Sequence, residues 1–196
     1  MIDFLKSIDQ SILLFINGLH HPVLDQVMWI ISARITWIPL YVLFLYFGWK
    51  YLPKKFLLFY VFFAILAVAF SDLVSVHAFK NVFERYRPSH HTTLTHLLHF
   101  YEIKPEEFYK GGQYGFISSH AANFFSLAIF VGLSLKSALP KFIFLLIGIG
   151  ILVSISRVYL GVHYPSDVVV GAIVGSLIGY LFFLLYRRLT IVKSRN

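Results

Sequence analysis

The sequence predicts an all-α integral membrane protein, a helical bundle of five transmembrane helices with an N-terminal interfacial amphipathic helix. Three observations support this fold class. The 196 residues are 58% hydrophobic and 13% charged, with 21 Phe, more apolar surface than a soluble domain of this size can hide. Five apolar segments succeed one another after residue 34. Basic residues flank them, which accounts for much of the net charge of +8 without a nucleic-acid partner. The lack of Cys excludes a disulfide framework and Cys-based metal sites.

Phe4, Leu5, Ile8, Ile12 and Phe15 recur at helical spacing, with Lys6, Asp9 and Gln10 between them. That pattern predicts an amphipathic helix lying on the membrane surface. Asp3 and Asp9 argue against a signal peptide, and the apolar run 12–16 is short for one. Asn17-Gly18 and His20-His21-Pro22 mark a break. A second helix runs from Leu24 to Ser32, with Asp25 in its first turn.

The first apolar span covers about 35–49, short of the roughly 20 residues a crossing needs. Arg34 can snorkel and lengthen it, and Trp37, Trp49 and Tyr51 suit the interfaces. The second span covers about 56–80 and contains Asp72, a carboxylate that needs a partner in the site or on another helix. Residues 88–116 form an outward-facing polar loop, with a short helix expected around 94–101. Three further spans cover about 121–135, 142–156 and 168–186. His120 and Arg157 clip the first two, and because both face a pocket the physical spans exceed the charge-free runs. Gly171, Gly175 and Gly179 permit close helix approach, within the protein or across a dimer seam. A sixth crossing built from residues 1–34 is the alternative to the interfacial helix. No repeat or linker divides the chain, which reads as one domain over 1–196.

The basic residues predict the orientation. Lys50, Lys54, Lys55, Lys136, Lys141, Arg187, Arg188, Lys193 and Arg195 collect on one side with no Asp or Glu among them. That side is the cytoplasm and holds the C-terminus. The charged clusters then face outward.

Three clusters carry chemistry. The first is Lys80, six residues, then Arg87-Pro88. On one helix Lys80 and Arg87 would share a face, with Pro88 ending it. The second is Ser118-Ser119-His120 at the start of a span, where backbone N–H groups bind anions and Ser118 can cap the helix. The third is Ser156-Arg157, then His163, Pro165 and Asp167. Lys80, Arg87 and Arg157 can neutralise a phosphate, Arg with a bidentate fork. His120 can act as general acid. Asp167 can accept the Nδ1 proton of His163, leaving Nε2 free to attack phosphorus. The carboxylates are too few to hold a metal. His90, His91, His96 and His99 form a local cluster that lacks a matching carboxylate motif.

These residues resemble the type 2 phosphatidic acid phosphatase superfamily, whose pattern is Lys, six residues, Arg-Pro; then Pro-Ser-Gly-His; then Ser-Arg, five residues, His, three residues, Asp. The first and third parts match at full spacing. In the middle part Ile117 replaces Pro and Ser119 replaces Gly. The resemblance covers about 70–185. It implies that His163 is a nucleophile forming a phosphohistidine, that Asp167 orients it, and that His120 protonates the leaving oxygen. It implies that Lys80, Arg87, Ser118, the Ser119 backbone and Arg157 hold the phosphate, with no metal or other cofactor. A glycine-to-serine change is harmful only if position 119 needs a positive φ. The related vanadate haloperoxidases are soluble, and this chain is too apolar for that role.

The expected function is therefore a metal-independent lipid phosphate or diphosphate phosphatase of a bacterial inner membrane, with its site at the outer face. Undecaprenyl diphosphate is the first substrate to test. Lipid A 1-phosphate, phosphatidylglycerophosphate and phosphatidic acid are the alternatives. A transporter or binding protein for a phosphorylated lipid is the alternative of another class, against which stands the lack of two matching halves.

Overall fold

The computed structural model describes residues 2–195, with side chains from 4 to 191. Helix α1 is Ile2–Asn17 and α2 is Pro22–Ser32. Between them His21 caps α2, its ring accepting from Val23 N at 3.3 Å, and Pro22 sits in the first turn, where its missing N–H costs nothing. Helix α1 is amphipathic as expected, and two of its polar residues, Asp9 and Asn17, face protein while Lys6 is exposed. Asp9, Leu13 and Asn17 are buried while Phe4, Leu5 and Phe15 are exposed. The apolar stripe thus faces outward, and the polar stripe packs against the loops that carry the site.

A 3₁₀ turn at Arg34–Trp37 leads into α3, Ile38–Tyr51, bent by 65° from α2. Helix α4, Lys54–Leu73, continues through a π-helical stretch, Val74–Lys80, and one last turn, Asn81–Phe83. A left-handed residue, Glu84 (φ 44°), ends it. The helix therefore stops before Arg87, and Pro88 opens a separate 3₁₀ turn, Pro88–His90. The expected single helical face for Lys80 and Arg87 is not formed.

The 94–101 stretch is not a helix. It holds a 3₁₀ turn, Thr95–Leu97, then Leu98 in extended backbone. The next N–H, of His99, is taken by Asn17 Oδ1 at 2.8 Å, a bond to α1 that replaces an intrahelical one. A small antiparallel hairpin follows, Glu102–Lys104 with Glu107–Phe108. Helices α5 (Ser119–Ser134), α6 (Phe142–Tyr159) and α7 (Pro165–Arg195) complete the bundle.

Among the described residues three helices, Lys54–Phe83, Phe142–Tyr159 and Pro165–Ile191, are long and apolar enough to cross a membrane, and the bent pair α2 and α3 makes a fourth if it counts as one span. Five independent spans were expected. The difference lies in α3, bent against α2, and in α5, whose 16 residues reach about 24 Å against roughly 30 Å of hydrocarbon. Helix α5 need not match the bilayer because protein surrounds it: Ala121, Ala122, Phe124, Phe125, Ala128, Phe130 and Val131 are all buried. Helix α6 does extend past its charge-free run, through Arg157 to Tyr159.

The glycine stripe of α7 is used inside the molecule. A Cβ at Gly175 would lie 2.1 Å from Ala122 O, and one at Gly179 would lie 2.2 Å from Ser126 O. Helices α5 and α7 thus touch backbone to backbone. At the far end an aromatic core of Phe44, Tyr60, Phe63, Phe130 and Tyr186 locks α3, α4, α5 and α7, with Tyr60 and Phe130 stacked at 5.6 Å. Rigid packing at one end and short helix-to-helix distances at the other fix the four helix ends that carry the charged clusters.

Candidate active site

The end of α4, the start of α5, the end of α6 and the start of α7 meet at one end of the bundle. Ser118 N–H donates to Asp167 O at 3.0 Å, joining α5 to α7. Lys80 donates to Ser119 Oγ at 2.6 Å, joining α4 to α5. Arg87 N–H donates to Gln113 O, and Gly115 N–H donates to Arg85 O. Tyr86 bridges Tyr114, so the loop strand, rather than a helix, delivers Arg87.

His163 is the centre of the cluster and is 1% exposed. Arg87 Nη1 lies 3.1 Å from its Nε2. A guanidinium has only donors, so Nε2 must present its lone pair. The ring proton then sits on Nδ1, which donates to Asp167 Oδ2 at 3.3 Å. That oxygen also accepts from Tyr164 N–H at 3.0 Å. Burial first, then Arg87 and Arg157, hold His163 well below its ordinary value of 6.5. The imidazole is neutral at working pH, with its nucleophilic nitrogen toward the cations. Burial, then the charge of Arg157, lowers the Arg87 guanidinium to about 10, which leaves it charged.

Arg157 is buried. Its Nη1 donates to Ser32 Oγ, and its Nη2 donates to Tyr109 Oη at 2.9 Å. Its Nε is buried with no partner among the described residues. A phosphate oxygen would satisfy such a donor. Ser118 caps α5, accepting from Ala121 N–H at 3.5 Å. Ser119 lies in the first turn of α5 with ordinary helical backbone, so no positive φ is demanded where the family carries glycine. Its hydroxyl accepts from Lys80 and contacts Ser75 Oγ at 2.6 Å, and Ser75 in turn donates to Asp72 O at 2.8 Å. The π-helical stretch carries both Ser75 and Lys80.

His120 makes no hydrogen bond among the described residues. It lines a cavity of ≈ 680 Å³ between α3, α4 and α5, with Ser32, Arg34, Asp72 and Asn123 beside it and Phe44, Ile65, Val68 and Leu127 farther in. Asp72 Oδ1 accepts from Asn123 Nδ2 at 3.0 Å, which gives the membrane carboxylate its partner on another helix. The cavity is mostly apolar with a polar end at His120, the form of a site for an amphiphile.

The structure thus brings together Lys80, Arg87, Ser118, Ser119, Arg157, His163 and Asp167, with His120 and Lys80 among the charges that bear on His163. The loop histidines disperse. His99 Nε2 pairs with Asp25 Oδ2 at 3.0 Å, His90 contacts Ser89, and His91 contacts Thr93. Among the described residues no group of three or more His, Asp or Glu side chains could hold a metal ion. Four residues escaped the sequence reading: Ser32, Tyr109, Arg85 and Asp9. Arg85 bridges Asp9 and Asp167, at 2.6 and 3.0 Å. A signal for Asp9 exists, since positions 9, 13 and 17 share one helical face.

Comparison with known proteins identifies the family. Residues 56–191 match the PAP2 superfamily. The chain belongs to that family. It is accordingly a membrane lipid phosphate phosphatase. It is similar to two lipid A 4'-phosphatases. The one from Porphyromonas gingivalis is 34% identical over 94% of this chain and 75% of its own length. The one from Bacteroides thetaiotaomicron is 38% identical over 97% of this chain and 82% of its own. An undecaprenyl-diphosphatase of Sulfolobus acidocaldarius is 38% identical over 52% of this chain and 44% of its length. The fold resembles that of a transmembrane PAP2-type phosphatidylglycerolphosphate phosphatase from Bacillus subtilis, with a TM-score of 0.69 and 24% identity over 94% of this chain and 87% of that one.

Proposed function

We propose that this PAP2 phosphatase is a lipid A phosphatase that removes the 4'-phosphate at the outer face of a bacterial inner membrane. One observation carries the substrate: the similarity to two lipid A 4'-phosphatases runs through nearly the whole chain, α1 to α3 included. Those helices lie outside the family match at 56–191, and they supply Ser32 to Arg157 and the wall of the cavity. Undecaprenyl diphosphate, the first expectation from sequence, rests on a similarity over half the chain and becomes the second substrate to test. The outward placement rests on the basic loops at Lys50 to Lys55 and Lys136 to Lys141, which lie at the helix ends away from the charged cluster.

The chemistry follows from the arrangement of donors. Lys80, Arg87 and Arg157 surround the phosphate, with Arg157 Nε finding its missing acceptor there. Arg87 gives up Nε2 of His163 and turns to a phosphate oxygen. The Nε2 lone pair attacks phosphorus, an N–P bond forms and the bond to the lipid oxygen breaks. His120, which takes up a proton as the substrate's negative charge arrives beside it, gives that proton to the oxygen. Asp167 stabilises the positive charge that develops on the phosphorylated imidazole. Water, deprotonated by His120, then displaces the phosphoryl group, returning inorganic phosphate and free His163. No step requires a metal. Acyl chains occupy the apolar depth of the cavity.

The test is turnover of doubly phosphorylated lipid A by purified protein in detergent, with mass spectrometry locating the phosphate removed. The expected product has lost the 4'-phosphate. Faster turnover of undecaprenyl diphosphate, or loss of the 1-phosphate, would overturn the assignment.

A further inference from the structure

We propose that Asp9, on the N-terminal helix and outside the residues that define the family, is a positioning residue for catalysis: through Arg85 it sets how strongly Asp167 holds the nucleophile His163. This rests on the role of His163 proposed above.

The geometry is continuous. Asp167 has two oxygens with separate duties. Oδ2 accepts from His163 Nδ1 and Tyr164 N–H. Oδ1 accepts from Arg85 Nη1 at 3.0 Å. The guanidinium of Arg85 lies over the Tyr164 ring at 4.0 Å and donates to Ser166 Oγ at 2.7 Å. Its other nitrogen, Nη2, donates to Asp9 Oδ2 at 2.6 Å. Asp9 closes the circuit on the first turn of α7, accepting from Ser166 N–H at 2.8 Å and from its hydroxyl at 2.5 Å. Asp9 is 7% exposed and Asp167 is fully buried. One cation thus stands between two carboxylates and serves both at once through different nitrogens, so its charge is shared between them.

That sharing gives each member a distinct effect. Removing the charge of Asp9 leaves Arg85 wholly to Asp167. The carboxylate then draws the Nδ1 proton less, and His163 becomes harder to protonate and a weaker nucleophile. Removing the charge of Arg85 leaves Asp167 uncompensated, and His163 becomes easier to protonate. The other charges facing this pair are Arg87, Arg157, His120 and Lys80, and neither substitution touches them.

The experiment measures kcat, KM and the acid limb of the pH profile for Asp9→Asn and Arg85→Gln in the full-length protein in detergent, with thermal unfolding recorded for each. Asp25→Asn is the control, since Asp25 also lies in the N-terminal helices, half-buried, but bonds Tyr159 and His99 instead. Asp9→Asn is expected to lower kcat roughly 10- to 100-fold, as for loss of a charged hydrogen bond, with KM held and the acid limb moved to lower pH. Arg85→Gln is expected to move the limb to higher pH. Asp25→Asn is expected to lower the unfolding temperature without moving it. If a variant does not fold, Asp9→Glu and Arg85→Lys replace it, and restored limb positions are expected. Limbs that stay fixed in Asp9→Asn and Arg85→Gln, or shift the same way in both, would overturn the proposal, as would a limb moved in Asp9→Glu or Arg85→Lys, which keep the charges. Loss of all turnover on His163→Gln tests the nucleophile separately.

Discussion

A single methyl group on α7 should disable the enzyme without touching a charged residue. The contact between α5 and α7 is backbone to backbone at Gly175, where an added Cβ would meet Ala122 O at 2.1 Å. Ordinary contact begins at 3.4 Å, so the helices must part locally by about 1.3 Å. Ala122 is two residues beyond His120 on α5, and Gly175 is two turns beyond Asp167 on α7. The separation therefore moves His120, the proposed acid, away from His163 by a distance of order 1 Å. A misplacement of that size costs about 100-fold in rate. Overpacking alone costs about 1–3 kcal/mol, which a packed bundle tolerates. The assay is phosphate release by Gly175→Ala in detergent with an unfolding scan beside it. Gly148→Ala is the control, because a Cβ at Gly148 meets nothing within 4 Å. The expected result is a folded protein with kcat/KM down about 100-fold in the first variant and unchanged in the second. Wild-type kcat/KM in Gly175→Ala would refute the claim that this contact positions the site.

Burial, then Arg87 and Arg157, lower His163 well below 6.5, so Nε2 stays unprotonated as pH falls through that value. Activity should hold its plateau through pH 6.5 and decline only below it, as read from kcat/KM in a pH series. Ser119→Gly should release Lys80 from its 2.6 Å bond and alter KM by a few-fold while leaving kcat within the same range, a result set by loss of one hydrogen bond of about 1 kcal/mol. Arg34→Gln, at the polar end of the cavity, should raise KM for lipid A severalfold with kcat held, since Arg34 lines the cavity proposed for the substrate and is not among the groups proposed to act on the bond that breaks. Exhaustive chelation should leave turnover unchanged, whereas a metal-dependent hydrolase would lose it.

Residues grouped by local spacing were legible before folding. Lys80, Arg87, His163 and Asp167 stand at fixed separations, and His163 and Asp167 flank Pro165, which opens α7. Residues whose partners lie far along the chain were not. Arg85 reaches Asp9 across 76 positions, and Arg157 reaches Ser32 across 125. No periodicity encodes such pairs. The partners of α1 were hidden for a different reason. Amphipathicity says that a helix has two faces, but not which face meets lipid. Here Asp9 and Asn17 find partners inside the protein, so the apolar stripe turns out. The helix expected near 94–101 failed because Asn17 competes for the His99 backbone. Five spans were expected from apolar runs, yet a run as buried as α5 records protein contact rather than lipid contact.

The central claim is a covalent phosphohistidine at His163. The direct measurement is rapid acid-free quenching of the enzyme during turnover of radiolabelled lipid A, with chelator present, followed by peptide mapping. The account predicts an acid-labile, base-stable phosphoryl group on the peptide containing His163, and none in His163→Gln. Steady turnover with no label on that peptide, or equal labelling in the substituted protein, would contradict it.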